Sequence, residues 1–233
     1  MENTKEITIG LLIPVLNEID GLKEIFPIID KEIFDQILFV DGGSTDGTLA
    51  FLKENNCEYI NQKVPGLSEA ILEGINALNT DCVIEFSPDG NCIPKYLNDV
   101  VKELKLGADL VVVSRYLPPA KSFDDSFITG LGNYIFTTMI NFFGKQKITD
   151  SLNIYRGFRI KKFICPEMLK ILEGPVFEPL ITIWALKKNF RIVEIAGDEP
   201  VRIGGEQKMR IIYNGLCILR MIKRVYFMKG DNN

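Results

Sequence analysis

The stretch FSPDGNCIP, residues 86–94, holds a carboxylate and an amide two positions apart in a segment that cannot be regular. It follows the strand-like run DCVIEF, and two prolines and a glycine then interrupt helix and strand. Asp89 and Asn91, with the hydroxyl of Ser87, present oxygen atoms of the kind that Mg²⁺ and Mn²⁺ prefer as ligands. Pro-Asp-Gly is also ordinary turn chemistry. This segment alone therefore leaves a metal site and a surface turn both open.

Two further polar clusters follow apolar runs in the first fifth of the chain. In PVLNE, Asn17 and Glu18 could contact a ligand or could cap a helix and favour its dipole. In VDGGSTDGT, Asp41 ends a buried run, where a carboxylate is costly unless something pairs with it. Asp46, in the same stretch, is a normal cap or turn residue, and we predict a structural role for it.

A fourth cluster is the glycine-rich stretch EPVRIGGEQK, residues 199–208, which holds Arg202 and Lys208. Loops of this kind can wrap an anion with backbone N–H groups and two cations, or can remain solvated charged loops. Taken together, the four clusters fit one hypothesis. Strand-end acids would recognise a nucleoside, a metal would sit at its diphosphate, and basic residues would lie near the phosphate charge.

The composition excludes several classes of chemistry. The chain has 233 residues, 46% of them hydrophobic, and a formal net charge of −4, which does not suggest nucleic-acid binding. It contains no histidine, so Ser-His-Asp and Cys-His nucleophile schemes and His-ligated zinc are excluded. Any catalysis must use carboxylates, Lys and Arg, hydroxyls or a metal held by oxygen.

The cysteines and the N-terminal stretch bear on location. Cys57, Cys82, Cys92, Cys165 and Cys217 are odd in number and form no CxxC pair, so we predict reduced thiols, mostly in the core, in a cytoplasmic protein. MENTKEITIG lacks the apolar centre of a signal peptide. No apolar run reaches the roughly 18 residues that span a bilayer. We expect a soluble protein that at most lies on a membrane, at its inner face.

The elements that must position the four clusters alternate between strand and helix. Apolar, β-branched runs predict strands at 7–15, 36–41, 57–61, 81–86 and 109–115. The segments between them predict helices, among them 19–30, distorted or ended by Pro27, and 67–79. This pattern predicts an α/β fold with a mostly parallel sheet and helices on both faces. Ligands bind such sheets at the carboxyl ends of the strands, where the clusters fall.

The pattern changes after residue 116. ITGLGNYIFTTMINFFG is apolar and aromatic, IYRGFRI could be another strand, and 208–228 reads as one helix. On that helix Ile211, Ile218, Leu219, Ile222, Val225 and Tyr226 gather on one side, and Arg210, Arg220, Lys223 and Arg224 on the other. A basic amphipathic helix could lie on an anionic membrane, pack on the core or form a dimer. We expect one domain, with a catalytic part over 1–207 and the helix and tail over 208–233.

The motifs resemble those of the family 2 glycosyltransferases, inverting enzymes with a GT-A fold, and in particular the branch of dolichyl-phosphate mannose synthase and bacterial polyprenyl-phosphate glycosyltransferases. IPVLNE, VDGGSTDGT and VVVSRY match three family motifs in order, and the segment from Arg202 through Gly205 to Lys208 matches an Arg-x-x-Gly-x-Ser-Lys loop. Gly42 and Gln207 depart from those motifs. The resemblance runs from about residue 7 to residue 210.

The resemblance implies roles for these residues. Pro14 and Glu18 would line the nucleoside pocket, Asp41 would contact the base and Arg115 would lie near the diphosphate. The full implied nucleotide-binding set is Pro14, Asn17, Glu18, Asp41, Gly43, Arg115, Arg202 and Lys208. The stretch at 86–94 stands where the family has its DxD signature. Asp89 would therefore be a ligand of Mg²⁺ or Mn²⁺, with Asn91 and Ser87 beside it.

ITDSLNIYRGFR occupies the place of the family's Asp-x-x-Ser-Gly-Phe-Arg block, and Asp150 and Arg156 match it. Asp150 is therefore a candidate catalytic base if the acceptor is a hydroxyl, with Asp124 and Asp125 as other candidates. If the acceptor is a lipid phosphate no base is needed, and Asp150 could simply orient Arg156.

The reaction that the resemblance implies is sugar transfer from a UDP- or GDP-type donor to a glycan, polyol or polyprenyl-phosphate acceptor, in bacterial glycan or glycolipid synthesis. One alternative is a nucleotide-sugar binding subunit that does not turn over, because Ser87 replaces the first Asp of the signature. A sugar-nucleotide pyrophosphorylase is a weaker alternative, since PVLNEIDG lacks the glycine-rich, Arg- and Lys-bearing loop that such an enzyme needs after its first strand. The donor base, the sugar and the acceptor stay open.

Overall fold

Seven strands form one sheet in the computed structural model, which describes residues 6–172, 174–204 and 210–228. The strands are β1 Ile9–Val15, β2 Gln36–Asp41, β3 Glu58–Asn61, β4 Cys82–Glu85, β5 Leu110–Ser114, β6 Arg156–Arg159 and β7 Ile192–Ala196. Their order in the sheet is β3-β2-β1-β4-β6-β5-β7. The strands predicted from the apolar runs are present with small differences at their ends, and the possible strand in IYRGFRI is β6.

Strand direction brings the strand ends together. β1 pairs in parallel with β2 and β4, β2 pairs in parallel with β3, and β5 pairs in parallel with β7. β6 is antiparallel to both of its neighbours, β4 and β5, so those two strands point the same way. The carboxyl ends of all strands except β6 therefore lie at one edge of the sheet. The prediction of a mostly parallel sheet is confirmed.

Helices cover both faces of the sheet. They are α1 Ile19–Ile25, α2 Thr48–Glu54, α3 Leu67–Ala77, α4 Leu97–Lys105, α5 Phe127–Ile140, α6 Ile160–Phe163, α7 Pro166–Leu169, α8 Phe177–Lys187 and α9 Ile211–Phe227. The helix predicted over 19–30 ends at Ile25 and continues as one 3₁₀ turn through Ile28, because Pro27 lacks the amide hydrogen that a longer α-helix would use.

Alternate residues of the strands feed two separate cores. Leu12 of β1 lies in a core with residues of α3, α8 and α9, whereas Leu11 and Ile13 lie in a second core with residues of α1 and α4. All three side chains are fully buried. A strand buried on both faces explains why its sequence is a continuous apolar run rather than an alternating one. All five cysteines are free, and three of them are buried.

The helix α9 packs on the first of these cores, in contact with α5 and α8. Its buried side consists of Cys217, Ile218, Met221, Ile222 and Val225. Of the six residues predicted to gather on one apolar side, Ile218, Ile222 and Val225 are buried, whereas Ile211, Leu219 and Tyr226 are exposed. Cys217 and Met221, which the prediction left out, rotate the inward face away from them. No helix in the described part of the chain combines the length and apolar character needed to cross a bilayer.

A close contact between α1 and the loop after β4 fixes the position of both. A Cβ atom on Gly21 would lie 2.2 Å from the carbonyl oxygen of Pro88 and 3.0 Å from Cα of Asp89. Backbone atoms cannot move out of the way as the tip of a side chain can. A glycine at position 21 therefore lets the helix lie directly on the segment that holds Asp89.

We expect Gly21→Ala to lower the free energy of unfolding by about 1–3 kcal/mol, because the added methyl group must push α1 and the Pro88–Asp89 backbone apart. Gly132→Ala in α5 is the matched control, since a Cβ there meets no heavy atom within 4 Å. The control should be neutral or stabilising by up to about 1 kcal/mol, from helix propensity. Urea unfolding measures both variants. Equal effects in the two would refute the contact as a constraint.

Candidate active site

The loops that follow β1 and β2 are joined by side-chain hydrogen bonds. Asn17, with a φ of 57°, donates its backbone N–H to Oγ of Ser44 at 2.9 Å, and its Oδ1 accepts from the backbone N–H of Thr45 at 2.7 Å. The side chain of Asn17 therefore connects two loops and does not cap α1, as one interpretation of the sequence had it. Asp46 has the predicted structural role, because its carboxylate accepts from the N–H groups of Ile19 and Thr48 at 3.0 and 2.9 Å.

The carboxylate of Asp41 is 1% exposed and is satisfied by its own loop. It accepts from the backbone N–H of Gly43 at 2.9 Å and from that of Ser44 at 3.2 Å. These donors explain how a carboxylate can end a buried strand. Gly43 has a φ of 96°, which favours glycine, and a Cβ there would meet no heavy atom within 4 Å. The loop thus presents backbone to open space beside Asp41.

Residues 18, 41 and 89 all lie at the edge of the sheet where β1, β2 and β4 end. Val15 and Asp41 are paired in the β1–β2 register, and Gly42 donates its N–H to the carbonyl of Val15 at 2.8 Å. Glu18 lies at the start of α1, which contacts the segment holding Asp89 through Gly21. Pro14 and Glu18 are half-buried. The parallel strands thus bring together three clusters that are far apart in sequence.

Asp89 forms an ion pair with Arg202 in this structure. Its Oδ2 lies 3.0 Å from Nη1 of Arg202, and its Oδ1 accepts from the backbone N–H of Asn91 at 3.1 Å. Ile203 adds a backbone hydrogen bond to the carbonyl of Asp89 at 2.8 Å. The segment that follows β7 therefore lies on the loop that follows β4. The predicted metal ligand and a predicted phosphate-binding cation are partners of each other.

The neighbourhood of Asp89 has the oxygen atoms that a small divalent cation would need from the protein. Asn91 donates from Nδ2 to Asp124 at 2.9 Å, and its buried Oδ1 has no hydrogen-bond partner among the described residues. Ser87 lies two residues beyond the end of β4 and is half-buried. Within the described ranges, no three His, Cys, Asp or Glu side chains form a metal-binding group. Asp89 and Asn91 thus fit a cation that takes most of its ligands from a bound phosphate.

Arg115 has other partners than the phosphates that the resemblance implies. Its guanidinium binds Asp150 through Nε at 2.7 Å and Nη2 at 3.1 Å, and Glu199 through Nη1 at 3.2 Å. Asp125 lies 3.8 Å away. Burial favours the neutral form of Arg115, but the charge of Asp150, its hydrogen bond and the charges of Glu199 and Asp125 together raise the pKa of Arg115. In this structure carboxylates occupy the donors of Arg115, and its expected place near the diphosphate stays a prediction.

Asp150 is fully enclosed. Besides Arg115, it accepts from Nδ2 of Asn133 at 3.0 Å and from the backbone N–H of Leu152 at 3.2 Å. Burial acts to raise the pKa of Asp150, but Arg115 and these hydrogen bonds give a net shift downward. A weakly basic carboxylate without access to solvent does not fit the role of a general base. Its expected partner was also wrong, since Asp150 orients Arg115 and not Arg156.

Arg156 lies in a buried polar cluster that the sequence analysis missed. Its guanidinium donates to the carbonyl of Glu178 at 2.7 Å and to Oγ1 of Thr182 at 3.0 Å. Glu85, at the end of β4, is fully buried and neither of its carboxylate oxygens has a hydrogen-bond partner among the described residues. Burial and the nearby charge of Glu178 raise the pKa of Glu85 well above its usual range.

Glu199 and Lys208 are the two charged residues at the ends of the segment 199–208. Glu199 received no predicted role, although an acidic residue in the same segment as Arg202 and Lys208 is itself a signal of ion pairing. Burial raises the pKa of Glu199, despite the opposing charge of Arg115. Lys208, predicted to bind phosphate, lies outside the described residues.

Comparison with known proteins identifies the family to which the chain belongs. The family described as Glycosyl transferase family 2 matches residues 11–165, and the chain belongs to it. An uncharacterised glycosyltransferase of Mycobacterium tuberculosis is 30% identical over 86% of this chain and 89% of its own length. Family membership counts against the pyrophosphorylase alternative.

Two further proteins are similar to the chain, one in sequence and one in fold. The dolichol-phosphate mannosyltransferase of Pyrococcus furiosus is 25% identical over 94% of this chain, which spans 62% of that protein's length. The fold is shared with a crystal structure of glucosyl-3-phosphoglycerate synthase from Mycobacterium tuberculosis, with a TM-score of 0.67, 20% identity, and coverage of 96% of this chain and 82% of that one. The architecture is thus the GT-A fold of glycosyltransferases.

We expect Asp150→Asn to lower the free energy of unfolding by about 3–5 kcal/mol at neutral pH, because it leaves the buried guanidinium of Arg115 without its bidentate partner. Asp125→Asn is the matched control, since Asp125 lies 3.8 Å from the same guanidinium and is partly exposed. The control should lose less than about 1 kcal/mol. Chemical denaturation at pH 7 measures both.

The pH dependence follows from the lowered pKa of Asp150. Its stabilising effect is complete above the ordinary value of 3.8 and is lost as the pH falls through the lower folded value. The difference between the parent protein and Asp150→Asn should therefore stay constant above about pH 5 and narrow below it. A difference that widened in acid would show that Asp150 is not held ionised by Arg115.

Proposed function

We propose that this protein transfers a sugar from a nucleoside-diphosphate sugar to an acceptor, with inversion at the anomeric carbon. The observation that carries the proposal is that the loops after β1, β2 and β4 meet at one edge of the sheet, where Asp41 ends β2 and Asp89 pairs with Arg202. The glucosyl-3-phosphoglycerate synthase of the same fold was crystallised with Mn²⁺, UDP-glucose and phosphoglyceric acid. That complex supports a UDP- or GDP-type donor at the corresponding edge of this chain.

The first half of the sheet would bind the nucleoside. Asp41 has its carboxylate fixed by two backbone N–H groups and lies next to the open backbone of Gly43. A fixed carboxylate of this kind can accept hydrogen bonds from a base without first being desolvated. Pro14 and Glu18 would form the opposite wall, and Asn17 would hold the two loops at a constant separation.

Asp89 and Asn91 are the residues that would hold Mg²⁺ or Mn²⁺, with Ser87 beside them. A divalent cation would offset the charge that develops on the departing diphosphate. Arg202 would then give up its ion pair with Asp89 and pair with phosphate oxygens, as a cation that is already 25% exposed can do without a change of fold. Lys208 would add a second positive charge.

The enclosed ion pair of Arg115 and Asp150 would stabilise the loops on the acceptor side of the site and take no part in proton transfer. If the acceptor is a glycan or polyol hydroxyl, Asp124 would be the base, because it already contacts Asn91 at the edge of the site. If the acceptor is a polyprenyl phosphate, the attacking oxygen is already anionic and needs no base. The name of the Pyrococcus relative supports the second acceptor class.

The organisation of the chain belongs to the same proposal. The catalytic part over 1–207 and the segment 208–233 would form one domain, which the packing of α9 on the core of α3 and α8 supports. The segment 208–228 is a candidate surface for a membrane or for a second copy of the chain. We propose that the protein acts in the cytoplasm or at the inner face of the membrane.

A binding subunit that does not turn over is a second candidate function. The ion pair between Asp89 and Arg202 favours it, because Arg202 provides the positive charge that a metal would otherwise supply at that carboxylate. The replacement of the first signature Asp by Ser87 removes one metal ligand in the same place. Enzyme and binder make different predictions for turnover, which the next experiment separates.

We expect Asp89→Ala to lower kcat/KM for transfer or hydrolysis of a UDP- or GDP-sugar by about a hundred-fold or more, because the departing diphosphate loses its stabilising cation. Removal of divalent metal with a chelator should abolish the activity of the parent protein, and Mn²⁺ should restore it. Asp99→Ala, an exposed position on α4, is the control and should leave the rate unchanged.

A thermal-shift panel of UDP, GDP, CDP and dTDP, with and without Mn²⁺, identifies the donor base. A ligand at a hundred times its dissociation constant adds about 2.7 kcal/mol of stability. Stabilisation without any turnover would establish the binding subunit. Full activity in Asp89→Ala would contradict the metal assignment.

A further inference from the structure

The helix α5 exposes a stripe of large apolar side chains to solvent. Its outward side carries Phe127, Ile128, Leu131, Tyr134 and Ile135, at the helical spacing of a single stripe, and all five are exposed, Phe127 by 85%. Surface helices normally turn such a stripe toward the core. An exposed stripe of large apolar side chains marks a surface that something else covers.

The inward side of α5 carries two polar side chains, Asn133 and Thr137, beside the buried Ile140, and both polar side chains are hydrogen-bonded. Asn133 donates to Asp150, and Thr137 bonds to Asn133 and to Ser151. These bonds connect the helix to the Arg115–Asp150 ion pair and fix its rotation. The apolar stripe therefore cannot be buried by a simple rotation of α5 about its axis, because that would break a buried polar network.

The helix α9 extends the same surface. Phe136 of α5 touches the Gly215 position of α9, where an added Cβ would lie 3.4 Å from its ring. The outward side of α9 exposes Ile212 by 81%, together with Leu216 and Leu219. Tyr226 and Phe227 are exposed near its C-terminal end. We call the outward sides of these two helices the α5–α9 surface.

The charges on the two helices indicate the chemistry of the partner. The segments 127–148 and 210–228 contain no Asp or Glu, in a chain whose net charge is −4. Their cations include Lys145, Lys147, Arg220 and Lys223, all exposed. Arg220 and Lys223 form no ion pair with any described carboxylate. The surface combines large apolar and aromatic side chains with uncompensated positive charge.

We propose that the α5–α9 surface docks on an anionic lipid bilayer. Exposed Phe, Leu and Ile side chains with aromatic residues and Lys or Arg beside them match the acyl boundary and the negative headgroups of such a surface. A second copy of the chain fits less well, because it would bring the same cations against themselves.

The docked orientation has a consequence for the active site, which rests on the function proposed above. The N-terminal end of α5 follows Asp124, whose carboxylate accepts from Asn91 beside Asp89. Phe123, next to Asp124, is 61% exposed. A bilayer against α5 would therefore place its headgroup layer at the acceptor side of the site. The acceptor class that this orientation selects is a phosphate carried by a membrane lipid.

Co-sedimentation of the purified chain with vesicles tests the docking. We expect binding to vesicles that contain phosphatidylglycerol and much weaker binding to pure phosphatidylcholine. The double variant Leu131→Asn/Ile135→Asn should lower the partition coefficient at least ten-fold. Arg220→Gln/Lys223→Gln should lower it by roughly five-fold for each cation removed, the equivalent of about 1 kcal/mol per charge.

The matched control is Ile28→Asn/Leu106→Asn. It removes exposed apolar side chains just beyond the ends of α1 and α4 and should leave the partition coefficient unchanged. Unfolding curves of all variants exclude loss of fold as the cause. The proposal is overturned if the parent chain does not co-sediment with anionic vesicles, or if Leu131→Asn/Ile135→Asn binds them as well as the control does.

Sedimentation velocity without lipid tests the alternative that a second copy of the chain binds the α5–α9 surface. A dimer that the α5 double variant dissociates, with vesicle binding unaffected, would assign the surface to a second copy and overturn the docking. Stabilisation by nucleoside diphosphates is measured without vesicles. Failure of the parent chain to bind anionic vesicles, with stabilisation by nucleoside diphosphates intact, would therefore reject the membrane surface alone. Vesicle binding without any stabilisation by nucleoside diphosphates would reject the proposed function alone.

Discussion

A carboxylate that leaves water must find a charge or several hydrogen-bond donors inside the protein, and this requirement shapes the whole edge of the sheet. Asp41 obtains backbone N–H groups from its own loop, Asp89 obtains Arg202, and Asp150 obtains Arg115. The pairings of Asp89 and Asp150 connect segments that are far apart in sequence. The same carboxylates that could serve a donor thus hold the loops in place before a donor arrives.

The three pairings differ in how easily they can be exchanged. Arg115 is enclosed by Asp150, Glu199 and Asp125, and breaking that group would leave a buried charge unpaired. Arg202 is partly exposed and binds one carboxylate, so phosphate oxygens can replace Asp89 as its partner at little loss. The difference in burial, rather than in residue type, separates a structural arginine from one that can act on a ligand.

The sheet and the positions of the clusters could be predicted from the sequence, because strands buried on both faces read as continuous apolar runs and their carboxyl ends meet at one edge. The elements α8 and β7 received no prediction. Ten residues of α8 are buried, so it shows no amphipathic period, and its Pro179 argues against a helix unless it stands in the first turn, as it does here. The partners of Arg115 could not be predicted either, since Asp150 and Glu199 come from distant segments and their pairing depends on packing.

The antiparallel strand β6 divides the sheet into two parts. β1, β2 and β4 carry the loops that we propose to bind the nucleoside, whereas β5 and β7 carry the loops on the other side of β6. Because β6 runs in the opposite direction, it is the segment entering this strand, and not the one leaving it, that reaches the shared edge and delivers Asp150 there. Insertions or deletions ahead of β6 would remodel one half of the crevice and leave the other half unchanged. On the assignment proposed above, such changes would alter the acceptor side and leave the nucleotide-binding loops as they are.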